Sequence, residues 1–293
     1  MSIFKPMTPC FAFKIITPKK YILNGLWLGS KRPKRVIIWV HGLGSSMFSK
    51  LKIANELVDT NTAVVAFNNR GHDTIAHHVG KFFKKALRGG AAHEVFTDCA
   101  DDIQGAINFA RRQGVKAIYL AGHSTGCQKS VYWAHKKGKG VKGIILMAPM
   151  SDYAAEVKIS GKAKIARALI HARKLVRSGY PHELIPEKIW PGSLLVDAQR
   201  FISLYSGEGA EEIFTYWNSN KNPRTLKSVT IPLLVLLAEK DEYADRPAKQ
   251  IATWFEKYLS KPRQRVIIVP KVRHSFKRGE VIVARAIKRF IEG

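Results

Sequence analysis

Ser124 stands between two glycines in Gly122-His123-Ser124-Thr125-Gly126, a G-x-S-x-G pattern. The apolar run 117–121 precedes it, and the helical pattern 128–135 follows. A serine on a sharp strand-to-helix turn exposes its hydroxyl for nucleophilic attack, and the helix N-terminus favours the negative charge that develops there. The flanking glycines are expected because any Cβ would collide with neighbouring backbone. The plain alternative is a glycine-rich turn whose serine caps the helix. Three further features point to nucleophilic chemistry. Asp241 follows the apolar run 232–238, and His274 follows 265–269. The order Ser, Asp, His suits His274 as general base and Asp241 as the group that holds the imidazole tautomer. Glu239, Glu242 and Asp245 are competing acids nearby. His41-Gly42-Leu43-Gly44 follows the run 35–40. There the backbone N–H of Leu43, with that of Thr125, could form an oxyanion hole.

Other reactive side chains read as structural. His72, His77 and His78 cluster after Asn68-Asn69-Arg70-Gly71, with no cysteine or second spaced histidine pair to complete a metal site. His123 adjoins the serine, but neighbouring positions on a tight turn point apart. Cys127 reads as a small buried residue at the helix start. Neither a metal nor a cofactor is expected.

The elements that must position these residues follow from apolar patterning. The runs 35–40, 63–67, 117–121, 143–147, 232–238 and 265–269 are rich in Val, Ile and Leu and hardly alternate, as buried parallel strands should. Helical patterns at 98–113 (with Asp98 as N-cap), 248–258 and 281–291 lie between or after them. Residues 11–28 predict an antiparallel edge hairpin turning at Asn24-Gly25. The alternation stops after Pro149. Residues 162–177 predict a basic helix, 196–205 a shorter apolar one, and 211–217 a turn or two of helix. The expected organisation is one α/β core, 1–150 and 229–293, with a helical cap inserted at 151–228.

Composition bounds the partners. The chain of 293 residues carries 49 Lys and Arg against 22 Asp and Glu, a net charge of +27. That field attracts acidic small molecules, polyanions and anionic surfaces. The basic runs 31–35, 81–88, 136–142 and 158–177 lack the aromatic interleaving of a nucleic-acid module. Three cysteines without a C-x-x-C pair argue against a disulfide framework and suit a reducing cytosol. No signal-peptide pattern and no run of ~20 apolar residues is read, so a cytoplasmic protein is expected. Oligomeric state is not legible.

His41 to Gly44, Gly122 to Gly126, Asp241 and His274 together resemble the α/β-hydrolase superfamily over nearly the whole chain. Thr125-Gly126-Cys127-Gln128, His182-Glu183-Leu184-Ile185-Pro186, Ala198-Gln199-Arg200-Phe201-Ile202-Ser203-Leu204 and Asp241-Glu242-Tyr243 are similar to a little-characterised hydrolase family that includes fungal siderophore-ester hydrolases. The resemblance implies an α/β-hydrolase fold: a mostly parallel central sheet, helices on both faces and a helical cap. It implies cofactor-free hydrolysis of a small or medium carboxyl ester through an acyl-enzyme, and the charge would favour an acidic one. An acyltransferase or thioesterase on the same triad, and a non-catalytic polyanion-binding protein of the same fold, are the alternatives.

Overall fold

The computed structural model describes residues 8–137, 140–191 and 194–293; the start of the N-terminal segment and part of the basic run 136–142 lie outside these. In chain order the strands are β1 (Cys10–Ile16), β2 (Ile22–Leu28), β3 (Arg35–Val40), β4 (Thr62–Phe67), β5 (Ala76–His78), β6 (Leu87–Gly89), β7 (Ala117–His123), β8 (Gly143–Met147), β9 (Leu233–Ala238) and β10 (Gln264–Val269). The helices are α1 (Leu51–Leu57), α2 (Cys99–Arg112), α3 (Thr125–Lys137), α4 (Asp152–Ser160), α5 (Lys162–Arg177), α6 (Ala198–Tyr205), α7 (Arg224–Lys227), α8 (Ala248–Tyr258) and α9 (Glu280–Glu292).

Among the described residues eight strands form one sheet in the order β1-β2-β4-β3-β7-β8-β9-β10. The pairs β1·β2 and β2·β4 are antiparallel and the rest parallel. Successive residues of a strand point to opposite faces, so an unbroken apolar run needs cover on both. In β3, Val36, Ile38 and Val40 join α2, α3 and α8 in one core, while Ile37 and Trp39 join α1 and α9 in the other. A third cluster, built on α5 and α6 with Ile185, Trp190 and Val196, lies within 151–228.

Four expectations need correction. Asn24-Gly25 is not the hairpin turn but lies inside β2, paired with Lys14 and Phe13. A Cβ on Gly25 would sit 2.5 Å from the Phe13 ring, which stacks on Phe109 at 4.1 Å. The glycine therefore makes room for a ring, and the chain turns instead between Thr17 and Tyr21, with Lys20 at φ 72°. Asp98 makes no side-chain cap, because a 3₁₀ turn at 96–98 leads into α2 and its carboxylate turns to Lys19 and Arg70. Residues 211–217 are not helical; Glu211 and Glu212 are used as acceptors, by Arg200 and Trp217 respectively. Finally, β10 is not a fully buried strand: at the sheet edge it exposes Arg265 and Ile267.

Candidate active site

β7 ends at His123 and α3 starts at Thr125, leaving Ser124 alone at the junction in the left-handed region, φ 56°. A non-glycine residue adopts that conformation only where surrounding structure holds it. Here Ser124 N donates to the Met147 carbonyl at 3.0 Å, and the Ser124 carbonyl accepts from Cys127 N at 2.8 Å. The glycines make the turn possible. A Cβ on Gly122 would lie 2.2 Å from the Gly126 carbonyl oxygen, and one on Gly126 would lie 2.1 Å from that of Val40. The elbow is thus pressed against the end of β3, and a Cβ on Gly42 would come within 2.9 Å of Ser124 Cβ.

His274 stands on the loop after β10, and its Nδ1, backbone N–H and carbonyl are each engaged. Its Nδ1 donates to Asp241 Oδ2 at 2.8 Å, its backbone N–H donates to Glu242 Oε2 at 2.9 Å, and its carbonyl accepts from His123 Nε2 at 2.9 Å. Asp241 Oδ1 accepts from Tyr243 N at 3.0 Å, and the Tyr243 ring meets the imidazole edge-on at 4.9 Å. The competing acids are otherwise occupied: Glu239 accepts from Lys271 N, Asp245 pairs with Arg246, and Glu242 takes the His274 backbone.

Ser124 and His274 line one cavity of about 310 Å³, together with Leu43, Met150, Tyr205 and Tyr243. Ser124 Oγ contacts Met150 Sδ at 3.8 Å, and among the described residues no hydrogen bond joins it to His274. The backbone N–H groups of Leu43 and Thr125 donate to no other described residue. The turn that carries Leu43 is held through His41. This imidazole accepts from Asn69 N at 3.2 Å through Nε2 and donates from Nδ1 to the Gly42 carbonyl at 2.9 Å. Burial, reinforced by the Lys129 charge, pushes its pKa down to about 3, so the ring is neutral.

Behind this turn lies a buried ionic chain with no counterpart in the sequence-based expectations. Lys129 Nζ bonds Asn69 Oδ1 at 3.1 Å and Glu94 Oε1 at 2.5 Å. Arg200 of α6 bonds Glu94 Oε2 at 2.9 Å and Glu211 Oε1 at 2.6 Å. Burial acts to raise the Glu94 pKa, but the charges of Lys129 and Arg200 outweigh it and hold the carboxyl below its ordinary range. Asp152, in the wall of the cavity, is pushed well above the carboxylate range by burial and then by the Glu211 charge; its Oδ2 accepts from Gln128 Nε2 at 2.8 Å. Only Gln128 and Arg200 of this set fall in stretches that carried the family likeness.

His72 bonds Asp73, and His78 Nε2 donates to the Arg70 carbonyl, so His72, His77 and His78 do not converge as metal ligands among the described residues. Cys127 Sγ is buried against the Gly122 and Met147 carbonyls, each at 3.2 Å, and burial raises its pKa far above the usual thiol value. The basic residues of α5 do not line the cavity; Asp152, Ala155, Glu156 and Ile159 of α4 do. Lys158 fastens α4 to the Asp241 loop by donating to the Glu242 and Ala244 carbonyls. No described helix is long and apolar enough to cross a membrane.

The fold is similar to those of several solved hydrolases. The siderophore hydrolase EstB from Aspergillus fumigatus is 16% identical over 98% of each chain, with a TM-score of 0.68. The carboxylesterase CesB from Bacillus subtilis is 19% identical over 97% of this chain and 92% of that one, with a TM-score of 0.60. An esterase from Pyrococcus furiosus is 16% identical over 97% and 91%, with a TM-score of 0.61. No curated protein sequence matches the chain. The architecture is accordingly an α/β-hydrolase fold. The model of the family described as "Protein of unknown function (DUF1749)" matches residues 91–282, about two thirds of the length, and the chain belongs to that family.

Proposed function

We propose that the protein is a serine esterase that cleaves carboxyl esters through an acyl-enzyme, with Ser124 as nucleophile, His274 as general base and Asp241 as its orienting acid. The observation that carries this reading is the left-handed Ser124 sharing one cavity with a His274 whose Nδ1 is bonded to Asp241 at 2.8 Å. With the Nδ1 proton donated to Asp241, His274 Nε2 is free to take the Ser124 proton as Oγ attacks the ester carbonyl. The same nitrogen then returns the proton to the departing alcohol. The uncommitted N–H groups of Leu43 and Thr125 would stabilise the tetrahedral oxyanion. Water, deprotonated by the same histidine, would release the acid. In this reading residues 151–228 are a cap that shapes the substrate cavity through α4 and Tyr205. Similarity to proteins named as carboxylesterase and siderophore hydrolase supports ester hydrolysis, and three free cysteines suit a reducing cytosol.

The test is turnover of p-nitrophenyl esters of graded chain length, with fluorophosphonate labelling. Ser124→Ala should lose on the order of 10⁴-fold or more in kcat and all labelling, with circular dichroism unchanged. Near-normal turnover in that variant would remove Ser124 from the mechanism.

A further inference from the structure

A second group of side chains lies away from Ser124, around a separate cavity of about 390 Å³ lined in part by His93 and His182. His93 precedes the 3₁₀ turn at 96–98 on the core side, whereas His182 and Asp197 belong to the segment 151–228. Both imidazoles converge on a single carboxylate oxygen: His93 Nδ1 lies 2.9 Å and His182 Nδ1 3.0 Å from Asp197 Oδ2. The three ligand-type atoms lie within 4.8 Å of one another. We propose that His93, His182 and Asp197 form a zinc-type metal site that ties the inserted segment to the core.

The backbone holds all three in place before any ion arrives. Asp197 N donates to the Ala92 carbonyl at 2.8 Å, next to His93. The turn that bears His182 is bonded to the start of α6 through Ile185 N to Val196, Ala198 N to Glu183 and Gln199 N to Pro181. Asp197 is further fixed by its Oδ1, which accepts from Arg200 N at 2.7 Å. Tetrahedral ligands about 2.0–2.1 Å from zinc stand roughly 3.3 Å apart. The observed 2.9 and 3.0 Å are hydrogen-bond spacings that an ion would open by a few tenths of an ångström.

The proton inventory permits the exchange. Each Nδ1 now donates to the carboxylate, and a metal would replace those protons. His93 Nε2 is buried and has no hydrogen-bond partner among the described residues, so moving its proton there breaks no existing bond. His182 is exposed, and its Nε2 can use water. Two imidazoles and one carboxylate are a donor set suited to zinc, in which water would take the fourth position. The ester chemistry proposed for Ser124 takes no step through this site, so the two readings stand or fall separately.

The test uses the full chain, treated with chelator and desalted. Zn²⁺ should bind with one-to-one stoichiometry by calorimetry and raise Tm, and Co²⁺ should give the visible bands of a four-coordinate complex. His182→Ala, at an exposed position, should keep the metal-free Tm but weaken binding by more than ~10-fold and abolish the Tm increase. His72→Ala, in the other histidine cluster, should bind as the parent does. Absence of stoichiometric binding, an undiminished affinity in His182→Ala, or its loss in His72→Ala would overturn the site.

Discussion

His123 donates its Nε2 proton to the carbonyl of His274 at 2.9 Å, so the residue before the elbow serine grips the loop that carries the histidine. The two rings lie 5.0 Å apart, and burial holds the His123 pKa well below the ordinary histidine range, so that ring is neutral. His123→Phe should keep the packing but leave a buried carbonyl without its donor, at a cost of about 1–3 kcal/mol. Under the esterase reading, kcat should fall about tenfold or more because the base is misplaced, with a smaller change in KM because His123 also lines the cavity. Steady-state kinetics and thermal unfolding of the variant check this; equal effects on kcat and KM would deny the grip a positioning role.

The acid assignment separates neighbouring carboxylates. Asp241→Asn should cost ~10⁴-fold in kcat by leaving the wrong imidazole tautomer. Glu239→Gln and Asp245→Asn touch Lys271 N and Arg246 rather than the imidazole, and should cost far less. Were Glu239→Gln the crippling change, the assignment of Asp241 would be wrong.

Much of this was legible in the sequence, for identifiable reasons. The runs at 35–40 and 143–147 match β3 and β8 because strands covered on both faces admit little but Val, Ile and Leu. The elbow was legible because its steric demands fall within five residues, where two glycines and a serine announce them. The hairpin turn was misread because Asn24-Gly25 carries a turn signature, while its actual cause, the Phe13 ring, is eleven residues upstream of Asn24 in an unrelated pattern. The ionic chain through Lys129, Glu94 and Arg200 was invisible for a related reason. Its partners are separated by as much as 106 residues, and each alone reads as an ordinary surface charge. His93 and Asp197, 104 residues apart, present the same difficulty.

That chain has a measurable weight. Arg200→Met would leave Glu94 with Lys129 alone and Glu211 with no cation, both buried. Removing one member of a buried ion network costs about 3–5 kcal/mol, since the remaining charge stays desolvated. Denaturant unfolding should show this loss. Replacing Arg200 and Glu211 together by apolar residues should recover part of it. No loss in the single variant would mean that the network is balanced without Arg200.

Stability should also depend on His41. In the folded state its pKa is about 3, against an ordinary value near 6.5, mainly because it is buried. The unfolded chain therefore binds the extra proton first as pH falls. The stability contributed by keeping this ring neutral is present above pH ~6.5 and is lost progressively towards pH ~3, at about 1.4 kcal/mol per pH unit. His41→Gln can still accept from Asn69 N but cannot be protonated, so its stability should fall less steeply between pH 6.5 and 4. Parallel slopes for variant and parent would mean that His41 is not the titrating group.

The high net charge yields the last expectation. Lys162 and Arg167 of α5 are exposed, and Lys164 lies over the Trp190 ring at 4.9 Å; none of the three lines the Ser124 cavity. Lys50 does line it, in a left-handed conformation at the start of α1. Burial lowers its pKa, while Glu242 and Glu280 act against that shift. A distant exposed charge is screened within about 8–10 Å at physiological salt, whereas one in the cavity wall is not. Neutralising Lys162, Lys164 and Arg167 together should therefore leave the ratio of kcat/KM for an acidic ester to that for a neutral ester unchanged within about twofold, with at most a small flattening of its salt dependence. Lys50→Met should lower that ratio by roughly tenfold, as the loss of one charge-assisted contact worth about 1.5 kcal/mol implies. Mono-p-nitrophenyl glutarate and p-nitrophenyl butyrate are suitable substrates. A collapse of the ratio in the α5 variant, with Lys50→Met unaffected, would place charge selection on the basic helix instead.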